Sequence, residues 1–111
     1  MSEITYDDFW KVEVRTGKVI RAEAFPEAHK PAYKLWIDLG EIGVKQSSAQ
    51  ITRLYTPEEL IGMRVLAVTN LSPIRVAGFK SEVLVLGVEM DDGEVALVQA
   101  DREVPLGSRI T

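Results

Sequence analysis

The stretch Arg64–Leu86, RVLAVTNLSPIRVAGFKSEVLVL, indicates how this chain is built. Its two ends, Val65–Val68 and Val83–Leu86, are short apolar runs rich in β-branched residues, which is typical of strands buried on at least one face. The connection between them, Asn70–Ser81, carries amide, hydroxyl and cationic side chains, one glycine and no carboxylate. Ordinary connections span about two to six residues, and longer ones on a rigid scaffold often carry function. We therefore predict that Asn70–Ser81 is a binding loop.

From the composition we predict a folded protein that holds no metal ion and no cofactor. Its 111 residues are 46% apolar and 27% charged, which fits one domain over residues 1–111. There is no cysteine and one histidine, so neither a disulfide framework nor an ordinary zinc site is available. The first ten residues, MSEITYDDFW, are acidic where a signal peptide is basic, and no apolar run approaches the roughly 20 residues that span a bilayer. We expect a cytoplasmic protein without membrane insertion.

The charge distribution predicts one basic face on an acidic body. The net charge is −4, which argues against a protein that grips nucleic acid with its whole surface. Between Ile42 and Ser81, however, five basic residues stand against two acidic ones. An imbalance in so few charges also arises by chance, so both interpretations stay open.

Two short helices carry clear signals. Thr5 precedes Tyr6–Trp10 with acidic residues in the first turn, which is typical of a capped helix start. In Thr56–Gly62 a capping threonine is followed by proline, two glutamates and a terminating glycine. We predict a helix of one or two turns at each place.

The remaining segments predict strands. Val12–Ala24 alternates as a long strand with a bulge or bend at Gly17, and Leu35–Gly40 is a second strand. Val44–Ile51 is unusually polar for a core strand, so one of its faces is expected to meet water or a ligand. The turn signal Asp91-Asp92-Gly93 joins a strand over Glu82–Met90 to another over Glu94–Gln99.

This order of elements predicts an all-β fold. Five or six strands, a bent first strand and a helix between the third and fourth strands suit a five-stranded OB-fold barrel preceded by a short N-terminal helix. An SH3-like barrel is the alternative, but it needs no helix between strands. The chain lacks the glycine-rich phosphate loops and the nucleophile and metalloprotease motifs, so we predict a binding module and not an enzyme.

Several segments resemble the tRNA-binding OB domain, which is appended to some aminoacyl-tRNA synthetases and also occurs as a free dimer. These segments are Thr16–Val19, Leu35–Glu41, Val68–Leu71 and Ala77–Leu84. The unbroken Gly43–Thr52 and Arg75–Leu86 resemble the stand-alone bacterial chaperones of this family more closely. The resemblance implies a cytoplasmic homodimer that binds unfolded secretory precursors on the Sec export route. It also implies tRNA binding as the alternative, although Glu82 places a negative charge where RNA would approach.

Both functions use one predicted surface. A precursor segment would contact Phe79, Ile74 and Val76, while RNA would meet cations with its phosphates and stack a base on Phe79. The alternative is a purely structural role, in which Ile74 and Phe79 only pack into the core. The predicted peptide- or RNA-binding residues are Lys45, Gln46, Ser47, Ser48, Gln50, Arg53, Asn70, Ile74, Arg75, Phe79, Lys80 and Ser81.

Apolar residues at both ends of the chain predict a dimer interface. They flank the barrel in sequence without an evident role inside it, and soluble monomers avoid large exposed apolar patches. The alternative is that both ends fold back over their own barrel. The residues are Phe9, Trp10, Val104, Pro105, Leu106 and Ile110.

Overall fold

The computed structural model describes residues 2–111, which form two short helices, nine strands and a 3-10 turn at Gly40–Ile42. The elements, in chain order, are α1 Tyr6–Trp10, β1 Val14–Ala24, β2 Tyr33–Asp38, β3 Val44–Ala49, α2 Pro57–Leu60, β4 Arg64–Val68, β5 Ile74–Val76, β6 Phe79–Ser81, β7 Leu84–Val85, β8 Gly87–Glu89 and β9 Val95–Leu97.

Five strands form the main sheet, in the order β3-β2-β1-β4-β7, and neighbouring strands run antiparallel. The sheet curls until its two edges approach, where the amide of Glu82 donates to the carbonyl of Gln46 over 2.8 Å. With α2 between β3 and β4, this nearly closed barrel is the OB fold that the sequence predicts.

Strand β1 is shared between the two sides of the barrel. Val14–Lys18 pairs with β4, and Lys18–Ala24 pairs with β2. The bulge or bend predicted at Gly17 lies further along the strand if it is a bulge, because the register shifts between Val19 and Arg21. Gly17 is needed for close packing instead: a Cβ atom there would stand 2.6 Å from Cγ2 of Ile37.

Both predicted helices are confirmed, and each begins with a capping box. In α1 the Thr5 hydroxyl accepts from the Asp8 amide, and the Asp8 carboxylate accepts from the Thr5 amide. Thr56 and Glu59 repeat this arrangement at α2. These bonds satisfy amides that a helix start leaves free.

Residues from the barrel strands, from α2 and from the segments next to the strands fill the core. Its buried members are Val19, Leu35, Ile37, Leu39, Ile51, Leu60, Val65, Ala67 and Val83. Among residues 2–111, no helix has the length and apolar character needed to cross a membrane.

The last part of the chain differs from the sequence interpretation. The strand predicted over Glu82–Met90 is two strands, because β7 pairs with β4 while β8 leaves the barrel to pair with β9. The turn signal at Asp91–Gly93 is confirmed by the β8–β9 hairpin, in which Met90 N donates to Glu94 O over 2.8 Å.

Candidate functional site

The predicted binding loop Asn70–Ser81 contains a β-hairpin. Strands β5 and β6 pair with each other, and the turn residues Ala77 and Gly78 have φ angles of 46° and 83°. Two successive positive φ angles make a tight turn whose twist matches that of the strands. The sequence interpretation missed this hairpin because each strand has only three residues.

The register of the hairpin sorts its side chains onto two faces. Val76 stands opposite Phe79 and Ile74 opposite Ser81, so these four share one face. Arg75 stands opposite Lys80, and this pair shares the other. The two cations therefore lie on the exposed face of the hairpin and not beside the Phe79 ring.

The half-buried ring of Phe79 packs on the outer face of the barrel. Its centroid lies 5.6 Å from that of Phe25 and 5.8 Å from that of Trp36, both in edge-on geometry. The Lys34 ammonium lies 4.8 Å from the Phe25 ring and 5.3 Å from the Phe79 ring. The Arg21 guanidinium lies 4.4 Å over the Trp36 ring. We call Arg21, Phe25, Lys34, Trp36 and Phe79 the aromatic–cation cluster.

The sequence interpretation selected only Phe79 from this cluster. The signal for two further members was available, because Lys34 and Trp36 alternate along β2 with the buried Leu35 and Ile37 and must face outward. Arg21 is found only through its register with Trp36 in the β1–β2 pair.

Hydrogen bonds from β3 close the barrel. The Gln46 side-chain amide donates to the Lys80 carbonyl over 2.8 Å, and the Ser48 backbone amide donates to Ser81 Oγ over 3.0 Å. The Glu82 carboxylate accepts from the Gln46 backbone amide over 3.2 Å. Gln46 and Ser81 thus already have partners within the barrel, and their predicted contact with a ligand stays a prediction.

Other predicted site residues lie apart from the hairpin. Ser47 is only 1% exposed and opposite Leu35 in register, so the core-facing side of β3 withdraws it from a ligand. Lys45 lies on that same side, opposite Ile37, and is half-buried. Arg53 donates to the carbonyl of Asp92 in the β8–β9 turn, which separates it from the β5–β6 hairpin.

Asn70 has a structural role that differs from the predicted one. Its Oδ1 accepts from the Glu13 amide over 2.9 Å, and its Nδ2 donates to the Lys11 carbonyl over 2.6 Å. The side chain thus joins the end of β4 to the segment between α1 and β1. Both ends of the amide therefore hold the backbone here, and the predicted contact of Asn70 with a ligand stays a prediction.

A groove of about 600 Å³ runs between the β5–β6 hairpin, the end of β3 and the loop before β2. Its exposed walls include Ile74, Leu84 and Leu71, which are 64%, 50% and 49% exposed. Of the predicted site residues, Ser48, Gln50, Ile74 and Ser81 line it. The other lining residues are Ala28, His29, Lys30, Ala32, Ala49, Ile51, Ser72, Val76, Glu82, Val83, Val85 and Val95.

A second apolar surface surrounds α1. The rings of Phe9 and Trp10 meet edge-on at 5.6 Å, and both side chains are exposed. Together with Ile4 and Tyr6 they line a shallow cavity of about 400 Å³. The Arg109 guanidinium lies 4.9 Å from the Trp10 ring.

The C-terminal segment, in contrast, pairs with its own barrel. Ile110 N donates to Val14 O over 2.9 Å, and the Pro105 carbonyl accepts from Oγ1 of Thr16 over 2.8 Å. The view that this segment has no role inside the barrel is therefore wrong. Of the four apolar residues predicted there as interface, Val104, Leu106 and Ile110 are half-buried. Pro105 is exposed.

Comparison with known proteins places this geometry in a family. Residues 14–109 match the family described as "Putative tRNA binding domain". The chain belongs to this family. The crystal structure of chaperone CsaA from Bacillus anthracis str. Ames is 52% identical with a TM-score of 0.94, and the match covers 99% of this chain and 100% of that one. The CsaA chaperone protein from Picrophilus torridus is 48% identical with a TM-score of 0.91, covering 98% and 100% of the two chains.

The family also includes parts of larger enzymes. The methionine–tRNA ligase of Thermococcus kodakarensis is 40% identical over 111 residues, which are 99% of this chain and 14% of the ligase. The match to such ligases is thus confined to their tRNA-binding domain portion.

Proposed function

We propose that this protein is a chaperone for protein export that binds extended, unfolded segments of secretory precursors in the groove. The observation that carries this proposal is the set of exposed aliphatic side chains on the groove walls, above all Ile74, Leu71 and Leu84. Two similar solved structures, at 52% and 48% identity, are named as CsaA chaperones, which supports the same function.

The groove has the size and chemistry for a peptide segment. Its volume of about 600 Å³ lies within the range of ligand pockets, roughly 300–1,000 Å³. Burial of one aliphatic side chain contributes about 1.5–3 kcal/mol to the free energy of binding. The entropic cost of ordering the bound peptide segment offsets part of this gain. Gln50 is exposed at the groove, where its amide can bond to a peptide backbone without regard to sequence.

An apolar substitution with a matched control tests this function. Ile74→Ser removes an aliphatic side chain from the groove, whereas Ile61→Ser removes one that is 55% exposed outside it. We expect Ile74→Ser to weaken binding of an unfolded precursor by about tenfold, as the loss of about 1.4 kcal/mol implies. Ile61→Ser should leave the affinity unchanged. Equal affinities for the two variants would contradict the proposal.

Binding of tRNA is the second candidate. The family match and the cations of the aromatic–cation cluster favour it. The two functions differ in salt dependence, because phosphate contacts weaken steeply with salt while apolar contacts strengthen slightly. Titrations of tRNA and of an unfolded precursor, each at two salt concentrations, distinguish them.

The proposed assembly is a cytoplasmic homodimer in which the 111 residues act as one domain and deliver precursors to the Sec export machinery. The exposed rings of Phe9 and Trp10 support a twofold interface around α1. The partly exposed Val104, Pro105, Leu106 and Ile110 would contribute to the same interface. Sedimentation at low micromolar concentration tests the dimer, and a monomer there would contradict it.

A further inference from the structure

We propose that the Arg21–Trp36 stack is a platform for an unpaired RNA base, with Lys34 beside it as a phosphate contact. This inference rests on the second candidate function, tRNA binding. It places the RNA site on the outer face of β1 and β2, whereas the sequence interpretation centred it on the Asn70–Ser81 loop.

Arg21 is held over the Trp36 ring by its neighbours. The two residues are partners in the β1–β2 register, and the guanidinium lies 4.4 Å from the ring centroid. Two nitrogen atoms of that guanidinium, Nε and Nη2, donate to Oε2 of Glu23. A guanidinium fixed by an aromatic ring below and a carboxylate at its edge presents its other face to solvent. The Arg21 side chain is 62% exposed, so that face is open.

The planar charge and the second cation favour RNA as the ligand. An unpaired base stacks on an arginine plane, whereas a base within a duplex has both faces covered. Lys34 is opposite Glu23 in register but approaches the rings of Phe25 and Phe79, 4.8 Å and 5.3 Å away. Its ammonium thus stands on the same outer face as the stack, where a phosphate next to the stacked base can meet it. Arg21, Lys34 and Trp36 do not line the peptide groove.

The test compares an unpaired RNA oligomer with an abasic oligomer of the same length, which keeps the phosphates but offers no base to stack. Arg21→Lys keeps the charge and removes the plane. We expect it to weaken binding of the RNA about 5- to 20-fold, within the range measured for base stacking, and to leave the abasic oligomer unaffected. Lys34→Gln should weaken both oligomers and reduce the salt slope by about 0.7, the value for one phosphate of a single strand.

Arg102→Lys is the matched control. Arg102 is also an exposed arginine paired with a near neighbour, Asp101, but it lies outside the aromatic–cation cluster. The Arg102→Lys variant should bind both oligomers with the affinity of the wild type. If the wild type binds RNA and Arg21→Lys binds it equally well, the platform is wrong while tRNA binding stands. If the wild type binds no RNA even at low salt, both are wrong. If Arg21→Lys weakens precursor binding and not RNA binding, the face belongs to the peptide site, which also overturns the inference.

Discussion

Oγ of Ser81 accepts a hydrogen bond of 3.0 Å from the backbone amide of Ser48. The Ser81 hydroxyl thus accepts a backbone hydrogen bond of β3, a role that the carbonyl of a neighbouring strand has elsewhere in the sheet. Ser81 is only 9% exposed, so water cannot easily replace it. This bond fixes the β5–β6 hairpin to the barrel at one end of the groove.

Ser81→Ala should therefore lower the free energy of unfolding. The Ser48 amide would lose its partner in a poorly hydrated place, which costs about 1–3 kcal/mol. Chemical denaturation measures the loss, and Ser72→Ala, an exposed serine at the same groove, is the control. Equal stability of the two variants would show that the Ser81–Ser48 bond contributes nothing.

Asn70→Ala should reduce stability and leave ligand binding unchanged. The substitution removes the bonds to Glu13 and Lys11, each of which contributes about 0.5–1.5 kcal/mol. Thermal unfolding and precursor affinity are the two measurements. A variant with wild-type stability and weakened binding would restore the interpretation of Asn70 as a ligand contact.

Phe79→Ala should affect both stability and binding. The ring makes edge-on contacts with Phe25 and Trp36, and such pairs contribute about 0.5–1.5 kcal/mol each beyond area burial. Loss of an anchoring aromatic side chain also weakens the binding of peptide or RNA, by about 1–3 kcal/mol. The sequence interpretation expects little loss of stability, because it treats the ring as free. Affinity measured well below the unfolding temperature separates the two effects, and unaltered affinity would make Phe79 a packing residue only.

Arg75→Ala and Lys80→Ala should each flatten the salt dependence of RNA binding by about one phosphate contact. The two cations stand opposite each other on the exposed hairpin face, where like charges repel. Lys80→Ala should therefore also stabilise the hairpin, by about 0.2–1 kcal/mol. Arg75→Ala relieves the same repulsion but loses the hydrogen bond from Arg75 to the Gly78 carbonyl. The measurements are tRNA affinity at several salt concentrations and thermal unfolding, with Arg102→Ala as the control for a general change of charge. Wild-type salt slopes in both hairpin variants would exclude this face from RNA binding.

The amino-acid sequence by itself determined the barrel and both helices. The alternation along Val12–Ala24, the capping residues Thr5 and Thr56 and the Asp91–Gly93 turn are local signals. Local signals act over a few residues, so the sequence shows them directly. The two segments Gly43–Thr52 and Arg75–Leu86 also carried the resemblance to the family that the comparison shows.

Only the tertiary structure decided which polar and aromatic side chains remain available to a ligand. Gln46, Ser81 and Asn70 have the polar side chains of binding residues. Each already makes a hydrogen bond within the protein, to a residue 34, 33 and 57 positions away in sequence, respectively. Arg21 and Trp36 meet for the same kind of reason, because the β1–β2 register brings them together. Such contacts depend on strand pairing and barrel closure, which are set by the packing of the whole core and by no short stretch of sequence.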